Sequence, residues 1–520
     1  MVAFAAITGS VPKAGVVVVA LLVAAALLAR SERARAAAIV GALGLAPTLL
    51  LADIWSSPQL RLVHRHPLLA AAAAAAALAV LGVVAAVISR RPAVLGVLAA
   101  VALPFRIPIQ AGGTTSNLLV PLYLVVAAGA LAFVVPALLG RRRDDAARDA
   151  EAEPAGEPPR AAWIERLLAV YIVLYAAQAI YSSDFEKALQ QIVFFYVPFA
   201  LLFILLRRLD WTPRLLRACF GIVVALAILF AGIGFLEYAT KTIYLNPKLV
   251  VANDLHTYFT VNSVFFDPDI FGRFLALVMI GLAVGLLYDG GAWLRLSPAG
   301  RVLAVCLSLA VLWGGLVLTL SRSSLAALLV GLALLAALRW HFSRTLAIAA
   351  VVVALGAGAV AISPTTFGLN QGLNGASSGR ASLISGGASL FGDRPVWGYG
   401  SGSFVKEYRA HNPGGSTTLS ASHTIPITIA AEQGAIGEVA YIALVAAAAL
   451  ALLRGARADP ARAGVAAAYI ALVFHTLLYA DFLEDPVTWA LLAVGAALAV
   501  QRRPAPAAEA ATLHAAAVPA

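Results

Sequence analysis

Apolar residues run along this chain in blocks of about 16 to 24, and polar and charged residues are confined to the gaps between them. A helix rises 1.5 Å per residue, so about 20 residues cross the roughly 30 Å of bilayer hydrocarbon. The blocks lack the two-residue alternation of a membrane β-strand, so they predict helices and not a barrel. Read in order, they place crossings near 14–29, 36–52, 67–88, 92–104, 117–139, 161–181, 188–206, 217–240, 270–288, 302–320, 323–338, 345–362, 426–452, 463–480 and 487–500. The expected fold is an all-α polytopic membrane protein of about 14 to 15 transmembrane helices.

Residues 302–338 form one nearly unbroken apolar stretch, which as a single helix would be about 55 Å long. That is too long for one crossing at ordinary tilt. The chain is therefore expected to cross twice there, turning near Ser321, Arg322, Ser323 and Ser324.

Two segments interrupt the rhythm. Arg141–Arg160 carries five positive and six negative charges among Pro and Ala, a composition that cannot bury a core, and it reads as a disordered cytoplasmic linker. It separates a five-span membrane module, 1–140, from a membrane core, 161–500, and a disordered cytoplasmic tail, 501–520, follows. The second interruption, Ser363–Ile425, has only six charged residues and many glycines, with Trp397, Tyr399 and Phe404 among them. Such a loop is too apolar for a solvated tether and is expected to pack as a cap on the bundle, with a short helix over Arg380–Phe391 ended by Gly392 and Pro395.

Composition settles the class: of 520 residues, 62% are hydrophobic and 12% charged, and the mean hydropathy is +0.90. A soluble multidomain protein is excluded. Lys and Arg number 37 against 26 Asp and Glu, yet the excess does not mark a nucleic-acid surface. With the N-terminus outside, the inner connections and C-terminal end hold 23 positive residues and the outer segments seven, which is the positive-inside asymmetry. The map puts Arg322 and the loop 363–425 on the outer side. The first apolar run follows Lys13 and leads through Arg30 into more spans, so it reads as an anchor and not a cleaved signal. Cys219 and Cys306, both in apolar runs, suggest no disulfide framework or thiolate metal site.

Three motifs then stand in order: Arg322 in LTLSRSSLAALL, GRASLISGGASLFGDRPVWGYGSGSF from Gly379 to Phe404, and SHTIPITIAAEQGAIG from Ser422 to Gly437. This sequence resembles the O-antigen ligase and polymerase superfamily: an Arg at the outer end of a span, a long outer loop with Arg and P-x-x-G-x-G-x-G-x-F, then His followed by E-x-G-x-x-G. Thr424 stands where Asn often follows that His, and a Trp common after the loop Arg is replaced around Leu383. The resemblance covers roughly Asp267–Leu450. It implies a GT-C-type glycosyltransferase in the bacterial cytoplasmic (inner) membrane, active on the periplasmic side, that builds surface polysaccharide. The implied donor is a glycan on a polyprenyl (undecaprenyl) pyrophosphate and the acceptor a hydroxyl of another glycan or glycolipid. No cofactor, metal or nucleic acid is implied.

The residues themselves admit that chemistry. A departing pyrophosphate needs cationic stabilisation, and guanidinium binds phosphate as a bidentate fork. Arg322 and Arg380 are the first candidates. Arg273 and Arg394 follow, and the glycine run around Tyr399 and Gly400 offers backbone N–H groups. His423 lies just before a helix start marked by Pro426, where the helix field favours a neutral imidazole able to act as base. The alternative is a histidine satisfied by loop backbone. Glu432, about 9 Å down that span, needs a partner and is expected either to hold an Arg or to orient the loop. Gly434 and Gly437 read as helix-packing positions. Asp267 and Asp269 read first as caps, with pairing to Arg273 or contact with the donor sugar as alternatives. Asp481, Glu484 and Asp485 read as a solvated acidic turn. A lipid-linked glycan flippase or other transporter is the alternative function, although the polar clusters gather at one face and not at the midplane.

Overall fold

The computed structural model describes residues 9–55, 64–105, 107–111, 114–140, 161–244, 249–250, 253, 258–289, 297–340, isolated positions between 343 and 362, 380–412 and 422–500. The linker 141–160, the tail 501–520, most of the expected span 345–362 and the loop segments 363–379 and 413–421 lie outside the described residues.

Eleven helices are long and apolar enough to cross a membrane among the described residues. In chain order the elements are α1 (Ser10–Leu28), α2 (Glu32–Ile54), α3 (Pro67–Arg90), α4 (Ala93–Ala102), β1 (Ile107–Ala111), β2 (Thr114–Leu118), α5 (Val120–Leu138) and α6 (Ala161–Ala179). They continue with α7 (Phe185–Arg207), α8 (Pro213–Thr240), α9 (Pro268–Val284), α10 (Pro298–Leu318), α11 (Arg322–Arg339) and α12 (Arg380–Asp393). The last four are α13 (Phe404–His411), α14 (Ile425–Leu453), α15 (Pro460–Thr476) and α16 (Pro486–Val500). Every expected crossing apart from 345–362 coincides with one of these helices, and the 302–338 stretch divides between α10 and α11 at Thr319–Ser321. The run 92–104 differs from expectation. Its helix has ten residues, about 15 Å, and the chain then turns into an antiparallel hairpin with Ile107 opposite Leu118.

Local chemistry explains where the helices begin. Thr212, Asp267, Ser297, Asp459 and Asp485 each precede a proline that opens a helix, and each side chain accepts a first-turn N–H. Proline lacks the N–H that would be unsatisfied there, and the cap satisfies another. Within α7, residues Ile192–Tyr196 form a π-turn.

α1 packs on α2 and α6, α4 on α8, and one apolar cluster runs from Val16 to Leu498, so the front helices share a core with the rear ones. A second cluster joins α8, α9, α10, α11 and α15. Charges gather at one end of the bundle, where Glu32 pairs with Arg35 (3.0 Å) and Arg208 (2.8 Å), and Glu165 pairs with Arg207. The candidate site lies at the opposite ends of these helices.

Candidate active site

The site grows from the start of α9. Asp267 caps that helix by accepting the Asp269 N–H at 2.7 Å, and it also accepts the Tyr479 hydroxyl. Burial, and then the neighbouring Asp269, push the Asp267 carboxyl up to about 6. Asp269 faces the first turn of α11. Its Oδ1 accepts the Ser321 and Ser323 hydroxyls, the latter at 2.9 Å, and its backbone carbonyl accepts Ser324 Oγ–H at 3.0 Å. Gly272 permits this approach, because a Cβ there would come within 2.8 Å of Ser324 Oγ. Ser323 and Ser324 also touch His475 Nε2 of α15, at 3.3 and 3.2 Å.

Arg380, the first residue of α12, brings the loop to this group: its guanidinium lies 3.6 Å from Asp269 Oδ2, and the side chain is 31% exposed. At that separation the pair is electrostatic and leaves most of the five guanidinium N–H donors available. Arg322 stands exposed between Ser321 and Ser323, whose hydroxyls hold the other oxygen of the same carboxylate.

His423 sits just before α14 with φ +55°, a left-handed conformation that non-glycine residues adopt sparingly and that concentrates at functional sites. Ser422 Oγ accepts the Thr424 N–H at 3.1 Å across it. The imidazole lies beside the Tyr479 ring, centroids 5.6 Å apart, and its buried Nδ1 has no hydrogen-bond partner among the described residues. Burial, and then the positive charge of Arg380, hold its pKa below the ordinary 6.5, while Asp269 and Asp481 oppose the shift. The neutral form is thus favoured, as expected, although chiefly through burial.

The remaining candidates form a junction between loop and helix. Gly434 (φ +65°) breaks α14, and the loop pairs with the interruption: Tyr399 N–H donates to Ala431 O (3.1 Å), Gly400 N–H to Glu432 O (2.7 Å) and Ala435 N–H to Pro395 O (2.7 Å). Gly434 therefore serves a backbone break and not the helix packing expected of it. A Cβ at Gly400 would meet Ser182 Cα at 2.3 Å, so this glycine answers to close packing. The Glu432 carboxylate accepts the Gly402 (2.8 Å) and Phe404 (3.1 Å) N–H groups, which makes it the organiser of the loop. Tyr399 is buried there, with Arg394 over its ring at 4.4 Å. The loop and E-x-G-x-x-G motifs are thus two halves of one joint.

The acidic turn is not solvated. Asp485 is ion-paired with Arg273 at 2.6 Å, both side chains nearly enclosed, and Arg273 also reaches Asp481 O at 3.3 Å. Glu484 is half-buried, accepts from Gln191, and has its carboxyl pushed up by desolvation and then by Asp481. Arg273 pairs with Asp485 and not with Asp267 or Asp269, so it braces α9 against the turn before α16. Removing one member of a buried pair strands the other charge. Asp485→Asn is accordingly expected to cost about 3–5 kcal/mol, read as a melting temperature several degrees lower in detergent; an unchanged melt would show that the pair is no brace.

Hydropathy alone does not mark His475, Ser323 or Tyr479. The available signal is an ionisable residue inside an apolar span, VFHTLL, which by default points to function.

Residues 307–442 match the O-antigen ligase family model. The match runs from α10 to the first half of α14 and supports assignment to the O-antigen ligase and polymerase superfamily. It contains Arg322, Arg380, Arg394, Tyr399, Gly400, His423 and Glu432, whereas Asp269, Arg273 and His475 lie outside it. No curated protein matches the chain. The chain is a multi-pass membrane protein in which residues 307–442 match the O-antigen ligase family, and this match supports, at a coarse level, a membrane surface-polysaccharide ligase or polymerase.

Proposed function

We propose that this protein is a metal-independent, inverting glycosyltransferase of the bacterial cytoplasmic membrane that works at the periplasmic face. It moves a glycan from a polyprenyl pyrophosphate to a hydroxyl of another glycan or glycolipid. The observation that carries the reading is the meeting of Arg380 with Asp269 beside His423, a half-buried imidazole whose Nδ1 has no hydrogen-bond partner among the described residues. The positive-inside asymmetry supports the sidedness.

In the proposed step, His423 takes the acceptor proton as the hydroxyl oxygen attacks the anomeric carbon. The bond to the pyrophosphate oxygen breaks, and Arg322 and Arg380 receive the negative charge that gathers on the leaving group. The prenyl chain lies along the apolar wall of the bundle. Arg394, Tyr399 and Glu432 contribute by holding the loop in place, and Arg273 by holding the start of α9.

Polymerase and ligase are distinguished by what accumulates when the gene is deleted. Mass analysis of lipid-linked glycans showing single repeats marks a polymerase, and long chains mark a ligase. Retention of donor in the cytoplasmic leaflet marks a flippase and overturns the transferase reading.

A pH dependence follows. A base must be neutral to act, and His423 titrates below 6.5. The sign is therefore fixed: kcat/KM is expected to stay level from neutral pH down past 6.5 and to fall only at lower pH as imidazolium forms. Removing the neighbouring cation in Arg380→Gln favours protonation, so the residual activity of that variant should lose its base at higher pH. An acid limb above 6.5 in the unaltered enzyme would exclude His423, as placed here, as the base.

A further inference from the structure

His475 is the most enclosed ionisable side chain of the polar nest at the site, fully buried near the end of α15. Ala467, Ala471 and His475 recur every four residues and lie on one face of that helix. The face packs closely on α11, since a Cβ at Gly331 would lie 3.2 Å from Ala471 Cβ. Small residues thus draw the two helices together, and the imidazole reaches the first turn of α11.

The Asp269 contacts favour one distribution of protons there. Ser323 Oγ–H is spent on Asp269 Oδ1 and Ser324 Oγ–H on the Asp269 carbonyl. Each hydroxyl has a single proton, so toward His475 both act as acceptors. This assigns the proton to Nε2, shared between them at 3.3 and 3.2 Å. Nδ1, buried and with no hydrogen-bond partner among the described residues, is then a lone pair and not a stranded N–H. The relay runs from His475 through the two serines to Asp269, and from Asp269 Oδ2 to Arg380. The His475 ring also lies beside Tyr479 (5.5 Å), whose ring in turn neighbours His423 (5.6 Å).

We infer that His475 is a positioning residue: as an Nε2–H donor it fixes the serine pair and Asp269, and so sets where Arg380 and helix α12 stand over the site. Asp269 is the hinge of this device, a carboxylate that touches α11 on one oxygen and the loop on the other. The effect on turnover rests on the reading of Arg380 as a diphosphate ligand, but the docking of α12 does not.

The test uses full-length protein in lipid nanodiscs, with hydrogen exchange of the amides of Arg380–Asp393 as one readout and transfer kinetics as the other. His475→Phe keeps a ring and loses the donor; it should raise exchange across α12 about tenfold and lower kcat with little change in KM. His475→Gln, whose side-chain nitrogen occupies nearly the Nε2 position, should restore both. The Ser323→Ala, Ser324→Ala double variant leaves the histidine alone and should reproduce the exchange seen for His475→Phe, which keeps the inference testable if the Phe variant fails to fold. Unchanged α12 exchange in the double variant, or a Gln variant as impaired as the Phe variant, would overturn the proposal. If the unaltered protein transfers no glycan but exchange responds as described, the functional reading fails and the docking device stands.

Discussion

His423→Ala is expected to abolish glycan transfer while membrane insertion and donor binding persist. A positioned general base contributes about 10²- to 10⁴-fold to proton transfer, and His475, the imidazole on the far side of Tyr479, is engaged through Nε2 with Ser323 and Ser324. The described neighbours are poor substitutes: Tyr479 is turned to Asp267, and Asp269 is committed to serines and Arg380. The left-handed backbone at φ +55° persists in the variant, and alanine adopts it no more readily than histidine, so no stability is gained through that route. The measurement is product formation by purified enzyme with a lipid-linked donor, alongside donor binding by native mass spectrometry. Turnover within tenfold of the unaltered enzyme would eliminate the base assignment. Lost transfer together with lost binding would instead make His423 part of the donor's seat.

The membrane map was legible because hydrocarbon thickness imposes one length on every crossing, and a 37-residue run has to fold back. The fold-back at Ser321, the loop helix from Arg380 and the helix opening by Pro426 all followed from local chemistry. Glu432 was legible as a carboxylate in need of partners, and of its two expected roles the structure selects the loop. The shortness of α4 was hidden because hydropathy reports burial in lipid or protein alike and does not fix where a helix ends.

Long-range pairing accounts for the rest. The turn Asp481–Asp485 has the composition of solvated surface, and only a partner 212 residues earlier in the chain, Arg273, makes it interior. Gly434 looks like any glycine that lets helices approach, and it becomes a break only because Val396 and Trp397 occupy the space a Cβ would take. His475 could be flagged as costly in an apolar span, but the serines and Asp269 that satisfy it lie on other helices. Residue type thus reported which groups needed partners, and tertiary structure chose them.

Replacing a guanidinium by an ammonium separates charge from geometry at the leaving group. Arg322→Lys and Arg380→Lys each keep the positive charge at the site and lose the planar pair of donors, which a point charge does not replace. Loss of one preorganised donor to a developing anion costs about 10²- to 10³-fold in kcat, and each substitution is expected to fall in that range. Because the charge on the pyrophosphate oxygen is largest as the glycosidic bond breaks, the loss should appear in kcat more than in KM. Arg380 carries a second consequence, since its charge also faces Asp269 and anchors α12; exchange of the α12 amides in Arg380→Lys separates misplacement of the helix from loss of the fork. Arg322 is exposed at the mouth of the site, one residue from each of two serines that hold Asp269. Near-normal kcat in Arg322→Lys would leave it a surface cation at the end of a span. Near-normal kcat in both variants would remove the diphosphate clamp from the mechanism.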